Sequence, residues 1–241
     1  MKWKVWASAV LCAACLAGRA AASDLTEAAQ AALPGYISYH ELSGARSLTF
    51  AGRTVPYTAG QFVAELGRES LYVTGYVISA RTDPALGPLF APYFRYGLDR
   101  ETLAGLAALN KEFFDPEAAL HREVEQSVAA WADQMAGGGA ALDVKLADME
   151  PVRRVGDVNY IMYTAGARIL LSSEGLILPL YGRAYMYRDG DSYRVVTLIT
   201  SDDSRAILGY ALEDLAKEAG ARADERNRQA FIASLDLSGM K

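Results

Sequence analysis

Apolar and polar positions alternate most clearly between residues 140 and 200. Leu142, Val144 and Leu146 are separated by polar or small residues, the spacing of a strand with one dry face. Val155-Gly156-Asp157-Val158 reads as a tight turn into a strand over 159–164, and apolar stretches continue at 169–171 and 176–180. Segments 181–187 and 193–200 flank Asp189-Gly190-Asp191, turn chemistry placed where a hairpin needs it. Earlier, Ile37, Tyr39 and Leu42, then Leu48 and Phe50, then Val55 and Tyr57 form strand-like runs, punctuated at Ser43-Gly44 and Ala51-Gly52. Residues 61–67 read as one helical turn, and 71–78 as a well-buried strand.

Helical spacing marks other segments. Residues 24–33 form a short helix stopped by Pro34-Gly35. After Pro84, Pro88 and Pro92 interrupt the pattern, Leu103, Leu106 and Leu109 mark a helix near 100–110. A second helix is expected over 116–135, with Asp115 as N-cap, Pro116 behind it, and Leu120, Val124, Val128 and Trp131 facing inward. Gly137-Gly138-Gly139 ends it as a flexible joint. Ser201-Asp202-Asp203-Ser204 offers N-caps for a helix over 204–219 with Ile207, Leu208, Ala211, Leu212 and Leu215 inside. Residues 222–228 read as a charged joint or helix start, and Phe231, Ile232 and Leu235 as a last short apolar face. The sum is an α+β class, a mostly antiparallel sheet covered by helices 100–135 and 204–235.

The amino terminus changes the picture. Lys2 and Lys4 precede an apolar run over 5–17 that ends in Ala20-Ala21-Ala22, the pattern of a secretory signal peptide cut after Ala22. The run is shorter than the ~18 residues a spanning helix needs. The expected mature chain, residues 23–241, is a single α+β domain in the periplasm or outside the cell, with no membrane span. A lipoprotein signal, with Cys15 acylated after Ala13-Ala14, is the alternative. Both cysteines, Cys12 and Cys15, lie in this segment, so disulfides and thiolate-held metals are excluded after cleavage. Of 24 basic and 29 acidic side chains, only Lys2, Lys4 and Arg19 would leave with the signal, for a balance of −8. That charge, with no basic run longer than Arg153-Arg154, argues against nucleic acid and anionic lipid as partners.

Candidate chemistry is sparse. Glu117, His121 and Glu125 share a helix face at i, i+4, i+8, but a metal needs further ligands and no H-E-x-x-H occurs. A solvated face with i, i+4 pairs explains the same residues, and no metal or other cofactor is expected. His40-Glu41 could orient a general base, yet no G-x-S-x-G elbow supplies a nucleophile. Ser238-Gly-Met-Lys241 matches S-x-x-K at a chain end that cannot preorganise it. Asp202 and Asp203 could hold a cation or act in hydrolysis, though simple N-capping suffices. Tyr181, Tyr185 and Tyr187 alternate onto one face of the hairpin, with Tyr193 expected to meet them across it. Such a face can bind protein, peptide or glycan, or can pack under helices. Tyr160 and Tyr163 should point to opposite faces.

Residues 140–220 resemble the second half of PsbP/Mog1-like domains: an antiparallel meander, the Asp189-Gly190 hairpin, a strand over 193–200, and a helix after Ser201-Asp202. The resemblance implies a helix-covered sheet and an accessory or binding role; it carries no site residue. The expectation is therefore an exported bacterial accessory or binding protein without catalysis. An envelope hydrolase using Asp, Glu or His, and a structural subunit pairing through sheet edges, are the alternatives.

Overall fold

The computed structural model describes residues 22–50, 53–66, 71–139, 142–155 and 160–235. Residues 1–21 of the expected signal segment, residues 156–158 of the expected turn, and Ser238–Lys241 lie outside these residues. Among the described residues, seven strands form one antiparallel sheet: β1 (Ile37–Phe50), β2 (Arg53–Leu66), β3 (Leu71–Arg81), β4 (Asp143–Val155), β5 (Met162–Ser173), β6 (Leu176–Asp189) and β7 (Ser192–Ser201). Their order is β1-β2-β3-β7-β6-β5-β4, so the two halves of the chain join where β3 pairs with β7. The helices are α1 (Ala22–Ala32), a short α2 (Gly87–Phe90), α3 (Arg100–Phe114), α4 (Ala119–Met135) and α5 (Arg205–Ser234).

Period-2 alternation divides the core between the two faces of the sheet. On one face, Phe62, Val77, Val196, Leu198, Tyr185, Tyr187 and Met162 pack against Leu25 and Ala28 of α1 and Leu208, Leu212 and Leu215 of α5. On the other, Tyr163, Ala165, Ala184, Met186, Tyr193 and Val195 pack against Phe90, Leu109, Phe113, Leu120 and Val124. Trp131 of α4 extends this second layer over Tyr57, Ala59 and Ile199. Tyr160 joins the first layer and Tyr163 the second.

Several local expectations are corrected. Residues 61–66 belong to β2, not to a helical turn: Phe62 and Ala64 are fully buried, a period of two that β3 completes by pairing. Ser43-Gly44 does not end a strand. Gly44, at φ +101°, makes a bulge within β1, and the Arg46 guanidinium gathers the carbonyls of Leu42, Ser43 and Gly44. Asp115 closes α3 instead of capping the next helix; its Oδ1 accepts from Glu117 N–H at 3.0 Å, and α4 begins only at Ala119. Helix α5 runs unbroken to Ser234, with neither a joint nor a new helix start at 222–228, because the charges there pair along it: Glu218 with Arg222 and Asp224 with Arg228.

The β4 edge is irregular. Its register slips twice around Glu150, next to Pro151, and Asp148 takes φ 43°. Side chains from the helices fill the gaps. The Asn110 amide donates to Val152 O at 3.1 Å and accepts from Val152 N–H at 2.7 Å, while Glu125 accepts from Leu146 N–H at 3.1 Å.

Candidate functional site

Hairpin β6–β7 turns on two residues, Gly190 and Asp191, between the paired Asp189 and Ser192. Gly190 sits at φ +70°, a conformation glycine adopts without strain. That register sets which side chains share a face. Tyr187 lies opposite Arg194, and Arg188 opposite Tyr193. Tyr193 therefore points away from Tyr181, Tyr185 and Tyr187, correcting the expected four-tyrosine face; it packs on Phe90 and Phe94 at 5.2 and 4.6 Å between ring centroids. All four tyrosines are buried.

The inward row of β6 alternates Tyr181, Arg183, Tyr185 and Tyr187, so a cation stands within the aromatic row. It is accommodated by a cross-strand line of partners: Glu150 on β4 pairs with Gly166 on β5, and Gly166 with Arg183 on β6. Gly166 has no side chain to separate the carboxylate from the guanidinium. A Cβ there would stand 2.9 Å from the Tyr181 hydroxyl and 3.4 Å from Glu150 Cδ. Across the gap Arg183 Nη2 meets Glu150 Oε2 at 2.5 Å, and the Tyr181 hydroxyl donates to Glu150 Oε1 at 2.5 Å. Arg183 Nε donates to the Tyr181 oxygen at 3.0 Å, and Nη1 lies 3.5 Å from Glu213 of α5, which Lys217 holds from the next turn at 2.9 Å.

Burial pushes Glu150 upward, but hydrogen bonds from Tyr181 and Arg183 and the charges of Arg183 and Arg205 outweigh it and hold the carboxyl below its usual range. Burial, helped by the Glu150 bond, pushes the Tyr181 phenol up to about 12. Burial also pushes Tyr185 up to about 12. Burial would lower Arg183, yet its bond to Glu150 and neighbouring tyrosines drive it upward. These groups keep one protonation state across the neutral range.

Above this network a cleft of about 500 Å³ opens between β6, β7 and the first two turns of α5. Tyr181, Arg183, Thr200, Arg205, Gly209 and Tyr210 are among the residues that line it. Thr200 sits beside Tyr181 in the strand register, is 4% exposed, and its Oγ1 has no hydrogen-bond partner. A buried hydroxyl without a partner costs free energy on the order of 1–3 kcal/mol unless a ligand or water satisfies it. Arg205 Cζ stands over the Tyr181 ring, 3.8 Å from its centroid, and its Nη2 reaches Glu150 Oε1 at 3.2 Å.

The other candidates are dispersed. Asp202 does not cap α5; Ser204 holds that position without a side-chain bond, and the Asp202 carboxylate lines the cleft while pairing with Arg168 at 2.6 Å. Asp203 is exposed. His121 corrects the expectation of a solvated face: it is 2% exposed, wedged under the end of α3, and its Nδ1 donates to Phe113 O at 2.8 Å, satisfying an orphan helix carbonyl. Glu125 approaches its Nε2 at 3.4 Å, whereas Glu117 points outward to Arg122, so the trio does not converge. Among the described residues no three His, Cys, Asp or Glu side chains are grouped to hold a metal. His40 and Glu41 are exposed on edge strand β1, with β2 and β3 between them and β7.

Of the candidate tyrosines, Tyr181 and Tyr185 line the cleft; no motif in the sequence singles out Glu150, Arg183, Thr200 or Arg205 beside them. One signal was available: an arginine at an inward position of an otherwise apolar strand face.

No family model and no curated protein sequence matches the chain. Among solved structures it is similar to cyanobacterial PsbP (CyanoP) from Synechocystis sp. PCC 6803, at TM-score 0.35 and 10% identity over 77% of this chain and 81% of that one. It is similar to PA94, a Pseudomonas aeruginosa protein of unknown function, at TM-score 0.31 and 10% identity, covering 73% and 95%. LpqN, involved in cell envelope biogenesis of Mycobacterium tuberculosis, follows at TM-score 0.28 and 12% identity, covering 76% and 82%. Likeness at this level is loose and assigns no ligand or activity.

Proposed function

We propose that this chain is an exported, non-catalytic accessory or binding protein whose ligand occupies the cleft over Tyr181. One observation carries the reading: a cleft of about 500 Å³ brings Tyr181, Arg183 and Arg205 together over a wall that includes Thr200, whose buried hydroxyl has no partner. Its volume lies within the range of small-molecule sites. The ionisable side chains around it support binding over catalysis. Glu150 is held ionised and the Tyr181 phenol is held protonated, so neither is poised to exchange a proton near neutrality.

Gly209 provides the test. It lines the cleft, and an added Cβ would meet only Arg205 Cγ, at an ordinary 3.8 Å. Gly209→Trp should fill the cleft from its helical wall without disturbing the core. Small molecules that bind wild type in a ligand-observed NMR screen should be lost from the variant. Binders indifferent to Gly209→Trp, or turnover of a hydrolase panel that survives it, would contradict the reading.

Export rests on the amino-terminal pattern. The purified envelope or medium form should begin at Ser23 and carry no lipid, as read by intact mass spectrometry; a diacylglycerol on Cys15 would replace this with an anchored lipoprotein. No helix among the described residues is long and apolar enough to cross a membrane.

A further inference from the structure

Arg205 occupies the cleft in the manner of a ligand. Its guanidinium stacks on the Tyr181 ring at 3.8 Å and holds Glu150 by a single bond of 3.2 Å. Its side chain is 49% exposed, so solvent already weakens that pair. Its place in the chain gives it no other structural reason to be cationic: it is the first residue of α5, where the helix dipole favours negative charge and disfavours a guanidinium. The other cations at the site are fixed in the walls, Arg183 between Glu150 and Glu213, and Arg168 between Asp202 and Asp148.

Resting on the reading of the cleft as a ligand site, we propose that the ligand is itself cationic. An alkyl guanidinium or ammonium group would displace Arg205 from the Tyr181 face and take over its bond to Glu150. When Arg205 swings into solvent it leaves an aromatic face bordered by Glu150, with Glu213 and Asp202 close by on the cleft walls. That is the chemistry that recognises a cation through its charge and through the ring quadrupole. The chain as a whole is acidic, at −5, which favours the approach of cations. The group could belong to a free polyamine-like cation or to an arginine or lysine side chain of a peptide.

The sign of one substitution tests the idea. Arg205→Ala removes the internal competitor at an exposed position that no core contact depends on. Butylguanidinium, followed by NMR of isotope-labelled tyrosine, should shift the Tyr181 resonances and bind the variant about ten-fold tighter than wild type, a difference comparable to one cation–π contact. Tyr181→Leu, which keeps apolar bulk, and Glu150→Gln should each abolish that binding, with folding checked by circular dichroism. The tripeptide Gly-Arg-Gly binding more tightly than butylguanidinium identifies a peptide as the source, and equal binding a free cation. Weaker or unchanged binding of butylguanidinium to Arg205→Ala overturns the proposal. So does preference of the cleft for pentanoate or methyl glucoside, which would leave the cleft itself intact as a binding site. If no probe moves the Tyr181 resonances in either protein, the cationic class is wrong, and the Gly209→Trp screen decides separately whether the cleft binds at all.

Discussion

Tyr185→Ala should destabilise the protein by about 3–5 kcal/mol, the cost of truncating a large aromatic side chain in a packed core. Tyr185 is 2% exposed on the central row of β6, in the layer that holds Leu208, Leu212 and Leu215 of α5. Its removal would open a cavity directly beneath the long helix and take a hydrogen-bonding neighbour from Arg183. The cavity cannot close by collapse, because the cross-strand register on both sides fixes the backbone. Tyr210→Ala provides the contrast. Tyr210 is 81% exposed at the cleft mouth, so its truncation should stay within about 0.5 kcal/mol of wild type. Urea denaturation followed by circular dichroism separates the two. An unchanged midpoint for Tyr185→Ala would place this face outside the core.

Asp189→Asn should cost a comparable amount, about 3–5 kcal/mol, through a different mechanism. Arg194 is 1% exposed, and its Nε and Nη2 both donate to Asp189 Oδ2, at 2.9 and 2.6 Å. Arg81 donates to the same oxygen at 2.6 Å, and Arg226 reaches Oδ1 at 3.3 Å. Neutralising the carboxylate leaves a buried guanidinium, which also reaches Ser79 Oγ at 3.4 Å, without its opposite charge after its desolvation has been incurred. Acid should remove part of the same stabilisation reversibly. Burial raises Asp189, but Arg194 and Arg81 more than reverse it and hold the carboxyl at about 2, below its ordinary 3.8. A carboxyl depressed by folding contributes stability that is fully present above its unfolded pKa. That contribution is lost as pH falls through the folded value, so the loss should develop between about pH 5 and pH 2 and amount to roughly 2 kcal/mol. Denaturant midpoints taken down this range should fall less steeply in Asp189→Asn than in wild type. Parallel pH curves for the two proteins would remove Asp189 from the account.

The alternation of Tyr181, Tyr185 and Tyr187 and the turn at Gly190 were legible along the chain because strand period and turn chemistry are local. Tyr193 was misplaced for want of one count. With two residues in the turn, each odd-numbered residue of β6 faces an even-numbered residue of β7, and Tyr193 falls on the far side. Residues 61–66 were ambiguous for a similar reason, since Phe62, Val63 and Leu66 fit either period in so short a window. The charged stretch at 222–228 reads along the chain as a joint or a helix start, because the ion pairs that carry α5 through it exist only once the helix forms. The cleft itself was hidden. Glu150, Gly166, Arg183 and Arg205 come from three strands and a helix, and no local spacing links them; their association is a property of strand order and register.

Asn110 and Glu125 have a consequence for assembly. By binding backbone groups of β4, they leave that border of the sheet without a regular ladder to offer a newcomer. On the opposite border, Arg46 takes the carbonyls of Leu42, Ser43 and Gly44, and the Gln134 amide donates to Ser47 O at 2.8 Å, so among the described residues 37–41 is the stretch of β1 left for pairing. Growth of a sheet into a filament requires two open borders, one to give and one to receive. A protein with a single short one can join a second copy only like to like, about a two-fold axis, and the pair then has nothing further to extend. Pairing through the sheet would therefore be self-terminating, with the dimer as its end point.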